Sequence, residues 1–270
     1  EFSSNYFPWL LLRDRGYDVR TVASSEDGTP ADAFGDVADA GTRLIAVSAV
    51  HSATGFRADL AAIGQIAARS GAWFFVDACQ AAGAVPLDVV RDRIDFLAAS
   101  SHKFLLGARG MGYLFVRRAL IDRMRPVVPG WRAARKPHES FYGPTMELSQ
   151  TASKLDTSLI WFAALAEQAA LGIFRQFGVQ ALLDRNAQLS QRLHDALGSA
   201  IRAFQPRHRS TIVSVPVADA EAVMARLPAA NVMASVRAGR IRLSVHFYNL
   251  EEEIDRVVEL MGARELRRHV

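Results

Sequence analysis

Short apolar runs rich in β-branched and aromatic residues alternate with helical patterns over the first part of the chain. The runs "YDVRTV" (17–22), "RLIAVSAV" (43–50), "AWFFVDA" (72–78), "DFLAAS" (95–100) and "GYLFVR" (112–117) are predicted strands. Between two of them, "DLAAIGQIAARSG" (59–71) has apolar residues at helical spacing and a glycine stop. Strands that are apolar on both faces and alternate with helices predict a mostly parallel sheet covered on both sides. Such sheets place ligands at the carboxyl ends of their strands, where Asp77, Ser100 and Lys103 fall. The stretch 126–158, rich in Pro, Gly and polar residues, predicts an irregular excursion. Two helices follow, over 159–178 and 179–200. The remainder reads as βαββα: strand 210–217, helix 220–227, strands 232–237 and 240–247, and helix 250–262. The expected organisation is a large α/β domain over 1–175 and a small α+β domain over 176–270. No internal repeat is visible.

Composition narrows this picture. At 270 residues and 50% hydrophobic, the chain has the make-up of a soluble globular protein large enough for two domains. No apolar run reaches the length of a membrane span. The opening "EFSSNYFPWLLL" lacks the basic start of a signal peptide and an initiator methionine, which suggests a fragment of a longer gene product. The single cysteine, Cys79, excludes an internal disulfide and a multi-cysteine zinc site and fits a reducing cytoplasm. The net charge of +4 is carried by scattered arginines, so neither a nucleic-acid groove nor a membrane surface is expected as a partner.

The chemistry is concentrated around one residue. Of 32 basic residues only three are lysines, and one of them, Lys103, stands in "SSHKFLLGARGMGYLFV" just before a glycine-rich turn. An arginine would supply the same charge; a lysine can also lose its proton and act as a nucleophile. Asp77 ends the preceding strand in "FFVDACQAAG". Taken alone, that aspartate also fits a helix N-cap. A nucleotide-hydrolase reading fails because no G-x-x-x-x-G-K-[ST] loop exists. An acid and an amine on successive strand ends, with hydroxyls and a glutamine nearby, suit pyridoxal phosphate. The amine forms a Schiff base with the aldehyde, and the carboxylate keeps the ring nitrogen protonated so that the ring accepts electrons. Ser100 and His102 flank the lysine and could donate hydrogen bonds to the phosphate.

With these residues in place, the sequence resembles the class V aminotransferase group of fold-type I pyridoxal-phosphate enzymes, which includes cysteine desulfurases, kynureninase and isopenicillin N epimerase-like proteins. The resemblance runs through "EFSSNYFPW", "SAVHSATGFRADL", "VDACQAAG", "SSHKFLLGARGMGYLFV", "KLDTS" and "RIRLSVHFYNLEEEID". It implies the fold-type I large domain, N-terminally incomplete, with Lys103 as the Schiff-base lysine and Asp77 as the pyridinium partner. Gln80 would meet the phenolic oxygen of the ring, while Ser100 and His102 hold the phosphate. Ser52 is carried over as a further cofactor-binding residue, and Arg242, in "RIRLS", as the grip on the substrate α-carboxylate. A bidentate fork suits that task better than an ammonium.

The departures are informative. Many relatives stack a histidine on the ring where this chain has Phe2, which can stack but cannot do acid–base work. The stretch "LPAANVMASVRAGRIR" lacks the nucleophilic cysteine that desulfurases carry shortly before the substrate arginine, and Cys79 reads as a small packed residue. Relatives also begin with a further segment whose Gly-Thr turn cradles the phosphate. "KLDTS" replaces a pattern whose threonine reaches the partner subunit's phosphate, which makes Ser158 a substitute and implies a homodimer. The resulting expectation is a cytoplasmic, metal-free, pyridoxal-phosphate-dependent enzyme acting on an amino acid, foremost a class V aminotransferase. A lyase or epimerase of the same fold, or a truncated inactive protein, is the alternative.

Overall fold

The computed structural model describes residues 1–25, 28–201 and 204–261. After a short helix α1 (Phe7–Leu10) and α2 (Asp32–Val37), four strands form one sheet in the order β1 (Leu44–Ser48), β2 (Trp73–Asp77), β3 (Phe96–Ser100), β4 (Gly112–Val116). The first three are parallel, with Ser48 opposite Asp77 and Asp77 opposite Ala98; β4 runs antiparallel to β3, with Gly112 opposite Ser100. The sheet is thus mostly parallel, as the patterning implies. Between β1 and β2 lies α3 (Leu60–Ser70). Its start is fixed by the Asp59 carboxylate, which accepts a hydrogen bond from Ala62 N, and its end by Gly71 in the left-handed region.

Alternation along β2 shows why both sheet faces are apolar. Phe74 and Val76 are fully buried in the main core, with Ile63 and Ile66 of α3 and Phe34 of α2. Trp73 and Phe75 point the other way, onto a smaller cluster built on Phe96, Val116 and Leu120, and the Trp9 ring meets Phe75 edge-on at 5.2 Å.

One expected strand does not form. Residues 17–22 pair with nothing; Tyr17 is exposed and Val19 and Val22 are only half-buried. A β-prone segment becomes a strand only where a neighbour offers a ladder and a face to bury, and among the described residues β2 is the one strand paired with β1. The segment is held instead by Arg20, which donates to the Val37 carbonyl at 2.7 Å and to the Asp39 carboxylate at 2.9 Å.

The stretch 126–158 is irregular with short 3₁₀ turns, as expected. Helices α4 (Trp161–Phe177) and α5 (Val179–Leu197) follow, separated by Gly178. Then come β5 (Ile212–Val215), α6 (Ala220–Arg226), β6 (Ser235–Arg237), β7 (Arg240–Ser244) and α7 (Glu251–Met261), the predicted βαββα order; residue 262 of the expected last helix lies outside the described residues. These strands form an antiparallel sheet, β5–β7–β6. Its own core unites Leu189 and Leu193 of α5, Val213, Val215, Ile241 and Leu243 of the sheet, and Ile254, Val257 and Met261 of α7.

The two cores meet along a hydrogen-bonded seam. Ser210 Oγ donates to the Gly55 carbonyl at 2.7 Å, Arg57 N to the His208 carbonyl at 2.9 Å, and Asn186 Nδ2 to the Gly83 carbonyl at 3.1 Å. Gly55 has φ +78°, and a Cβ there would collide with the Ile212 carbonyl, so the close approach depends on glycine. Among the described residues no helix is long and apolar enough to cross a membrane, and no cluster of His, Cys, Asp and Glu is arranged to hold a metal.

Candidate active site

Parallel strands end together, and here the ends of β2 and β3 bring Asp77 and Ser100 to the same edge of the sheet, with Lys103 three residues further along the chain. The Asp77 carboxylate is half-buried and accepts the Cys79 backbone N–H at 2.8 Å. It therefore closes a turn rather than capping a helix, since the chain continues through turns from 79 to 85. The Ser100 hydroxyl is buried and, beside the Cys79 thiol, has no firm hydrogen-bond partner among the described residues. A buried donor without a partner is costly unless something else occupies its bond.

Lys103 lies in the turn that links β3 to β4 and is half-buried. Its Nζ stands 5.8 Å from the centroid of the Phe2 ring, so the N-terminal segment does reach the lysine. Phe2 is positioned by its neighbours: the Glu1 carboxylate accepts from Ser48 N at 2.9 Å and from the buried Asn5 side chain at 3.2 Å. His102 is exposed on the same turn. Partial desolvation lowers its pKa, with Arg109 and Lys103 adding to the effect.

The second group of expected residues meets across the seam. Arg242, on β7, sends its Nε to the Ser52 carbonyl at 2.7 Å, and one terminal nitrogen lies 3.5 Å from Gln80 Oε1. Burial lowers the pKa of this guanidinium, and Arg237 adds to the effect. Arg242, Ser52 and Gln80, far apart in sequence, thus form one contact set that extends from the small sheet to the turn carrying Asp77. Ser158 is different: it is exposed in the stretch before α4 and is not brought to this group.

Several residues of the site were not anticipated. Glu167 of α4 is buried and accepts hydrogen bonds from the Ser101 and Tyr113 hydroxyls. A single acid in the apolar run "WFAALAEQAALGIF" was a readable signal. His246, also buried, lies 3.2 Å by its Nε2 from the Phe104 carbonyl, which accepts, and stacks on the Phe104 ring at 5.4 Å. Nothing in "SVHFYN" distinguishes that histidine from a surface one. Cys79 is free and half-buried; desolvation first, then a hydrogen bond to Asp77, pushes its thiol pKa up. That is the opposite of what a sulfur nucleophile needs.

The mostly parallel sheet, with Asp77 and Ser100 at one edge, Lys103 in the turn that follows and Arg242 reaching across from the second sheet, has the fold-type I architecture. The sequence model of the family described as "Aminotransferase class-V" matches residues 1–257, and the chain belongs to that family. An uncharacterized aminotransferase of Bacillus subtilis, YcbU, is 28% identical over 267 residues, which is 97% of this chain and 70% of the relative. In three dimensions the chain is similar to the apo cysteine desulfurase of Thermococcus onnurineus NA1, with a TM-score of 0.84 at 22% identity over 97% of this chain and 70% of that one. It is also similar to a mutant of C-DES solved with glycine covalently linked to its pyridoxal-phosphate cofactor. There the TM-score is 0.74 at 24% identity, covering 86% of this chain and 63% of the other.

Proposed function

We propose that the protein is a pyridoxal-phosphate-dependent enzyme acting on an amino acid, foremost as an aminotransferase, with Lys103 as the cofactor lysine. The observation that carries this reading is the shared sheet edge of Asp77, Ser100 and Lys103, with Arg242 reaching Gln80 and Ser52 from the second core. The residues fit the cofactor: Ser100 Oγ is a buried donor without a firm partner among the described residues, as a phosphate site requires, and Asp77 supplies the anion for a ring nitrogen. When bound, the cofactor supplies an electron sink for the bond broken at the substrate α-carbon.

The chain's own residues would do the rest. Lys103 Nζ would hold the cofactor through its aldehyde and, as a free amine, would move the substrate α-proton. Asp77 keeps the ring nitrogen protonated, Gln80 orients the ring through its phenolic oxygen, and Ser100 and His102 hold the phosphate. Phe2 lies over the lysine and can stack on the ring. Arg242 holds the substrate α-carboxylate. Its Nε is already committed to Ser52, which fixes the plane of the fork and leaves the terminal nitrogens for a bidentate grip. In a homodimer, Ser158, which is exposed, would reach toward the phosphate of the partner subunit. Exposed Trp161, Phe162 and Leu165 on α4 suit burial in such an interface. The organisation is a cofactor domain up to about residue 175 followed by a small domain, and the compartment is the cytoplasm.

Desulfuration is disfavoured because residues 227–242 contain no cysteine and the Cys79 thiol is held protonated by its surroundings. Elimination or epimerisation would use the same residues and forms the second reading. The test of the primary reading is direct. Protein incubated with pyridoxal phosphate should gain a visible absorbance band, and borohydride reduction should fix the cofactor mass on the peptide containing Lys103. Both should be lost in Lys103→Ala. A wild-type protein that stays colourless refutes the assignment.

A further inference from the structure

The buried face of α4 is a stripe of Ala163, Glu167, Ala170 and Phe174, so one carboxylate lies where the pattern calls for an apolar residue. Glu167 is 4% exposed. Its two oxygens are divided: Oε2 takes the hydroxyl of Ser101, which is fully buried, and Oε1 takes the hydroxyl of Tyr113 on β4. No cation is paired with it among the described residues. Isolated acids are seldom left in an apolar stripe, because desolvation is costly and the two hydroxyl bonds only offset it. Burial and the bond to Glu167 push the Tyr113 hydroxyl up to about 12, so it stays a donor across the whole working range.

What the carboxylate grips is the turn that carries Lys103. Ser101 sits between Ser100 and His102, two residues before the lysine. Its backbone N–H donates to the Met111 carbonyl and its carbonyl accepts from Gly107 N, both at 3.1 Å, so residues 101–107 close on themselves around Lys103. Gly107 has no side chain to give: a Cβ there would collide with Ser101 Oγ and Glu167 Oε2. The turn also contains Leu106 at φ +61°, a left-handed conformation unfavourable for leucine that its surroundings must maintain.

We propose that Glu167 is a positioning residue for the cofactor: by holding Ser101 it sets the peptide that aims Ser100 Oγ and Lys103 Nζ at the same ligand. The inference rests on the assignment of Lys103 and deepens it, because it adds a support beneath the turn that touches neither substrate nor cofactor.

The test compares four proteins for uptake of pyridoxal phosphate: wild type, Glu167→Ala, Glu167→Gln and Ser101→Ala. Dissociation constants are read from the visible band, and thermal midpoints are measured without cofactor. Glu167→Ala should bind the cofactor about tenfold or more weakly and shift or diminish the band, since a hydrogen bond to a charged group is lost at the root of the turn. Glu167→Gln keeps one oxygen acceptor for Ser101 and should recover to within about threefold of wild type. Should the alanine variant fail to fold, Ser101→Ala cuts the same bond from the turn side without emptying volume, and it should reproduce the loss. Ser190→Ala is the stability control. It removes a buried bond to the Ser210 carbonyl, of 2.6 Å, away from the turn, and should lower the thermal midpoint without changing cofactor affinity. Cofactor affinity and band unchanged in Glu167→Ala, or in Ser101→Ala where only that variant folds, would overturn the proposal. So would a Ser190→Ala protein that loses cofactor in proportion to its stability. A wild-type protein that takes up no cofactor at all overturns the Lys103 assignment itself, and this inference with it.

Discussion

Replacing Arg242 by alanine separates substrate recognition from cofactor chemistry, and the structure sets the size of each effect. The guanidinium makes one firm bond, Nε to the Ser52 carbonyl at 2.7 Å, and one long one, to Gln80 at 3.5 Å. Losing the first leaves a carbonyl short of a donor and should lower stability by about 1 kcal/mol. The larger effect is on substrate. A carboxylate held by a desolvated arginine loses about 2–5 kcal/mol when the arginine is removed, which at about 1.4 kcal/mol per decade is roughly 30-fold to several thousand-fold in kcat/KM. Arg242→Lys keeps the charge but not the fork and should fall between the two. The assay follows the absorbance of cofactor-loaded protein during the half-reaction with a panel of amino acids, alongside titration with pyridoxal phosphate. Turnover should collapse while cofactor affinity stays within about twofold, because the contact with Gln80 is too long to contribute much. The reasoning is refuted if Arg242→Ala retains its kcat/KM, or if its whole defect is cured by saturating cofactor.

Two further outcomes follow from the same site and its surroundings. Sulfide release from cysteine should be negligible and Cys79→Ser should change turnover little, because burial, then the neighbouring Asp77 carboxylate, pushes the thiol pKa up; robust sulfide production abolished by that substitution would contradict this. Buried His194 and His246 both have pKa values pushed down to about 4 by desolvation. In the unfolded chain they would bind protons from about pH 6.5 downward, while the folded state refuses them until about pH 4, so stability falls with acidification through that window. The loss should be of order 1–3 kcal/mol per histidine, and His246→Phe, which keeps the stack on Phe104, should flatten the fall of the thermal midpoint between pH 7 and pH 5. An unchanged slope would show that other groups dominate.

Legibility in the sequence followed the range of the interaction concerned. β1, β2 and β3 were readable because a parallel strand buried on both faces is apolar throughout, and α3 because its Asp59 cap and Gly71 stop are local signals. The strand expected over 17–22 failed for the complementary reason: β propensity says nothing about whether a neighbour exists to pair with, and the edge of β1 is not paired with it. Among site residues, Asp77, Ser100 and Lys103 could be placed because strand ends carry their own address. Arg242 could be named only through the resemblance to relatives, since no periodicity announces that β7 faces Ser52 across a separation of 190 residues.

The unanticipated residues show what a one-dimensional pattern conceals. Asn5, Glu167 and His246 are polar groups whose partners lie on other elements, at Ser48, Ser101 and the Phe104 carbonyl respectively. Each breaks a local rule, since burial of such side chains is unfavourable until the partner is known. All three converge on the same small volume, the N-terminal segment and turn that surround Lys103. Glu167 grips the turn at Ser101, before the lysine, and His246 grips it at Phe104, after the lysine, while Asn5 and Glu1 anchor the segment that lays Phe2 beside it. Because His246 lies four residues beyond Arg242 in sequence, just past the end of β7, the strand that presents the proposed carboxylate grip leads directly into a residue bonded to the lysine turn. The proposed substrate grip and the proposed cofactor lysine are therefore joined by one strand end and one hydrogen bond, although they belong to two different cores.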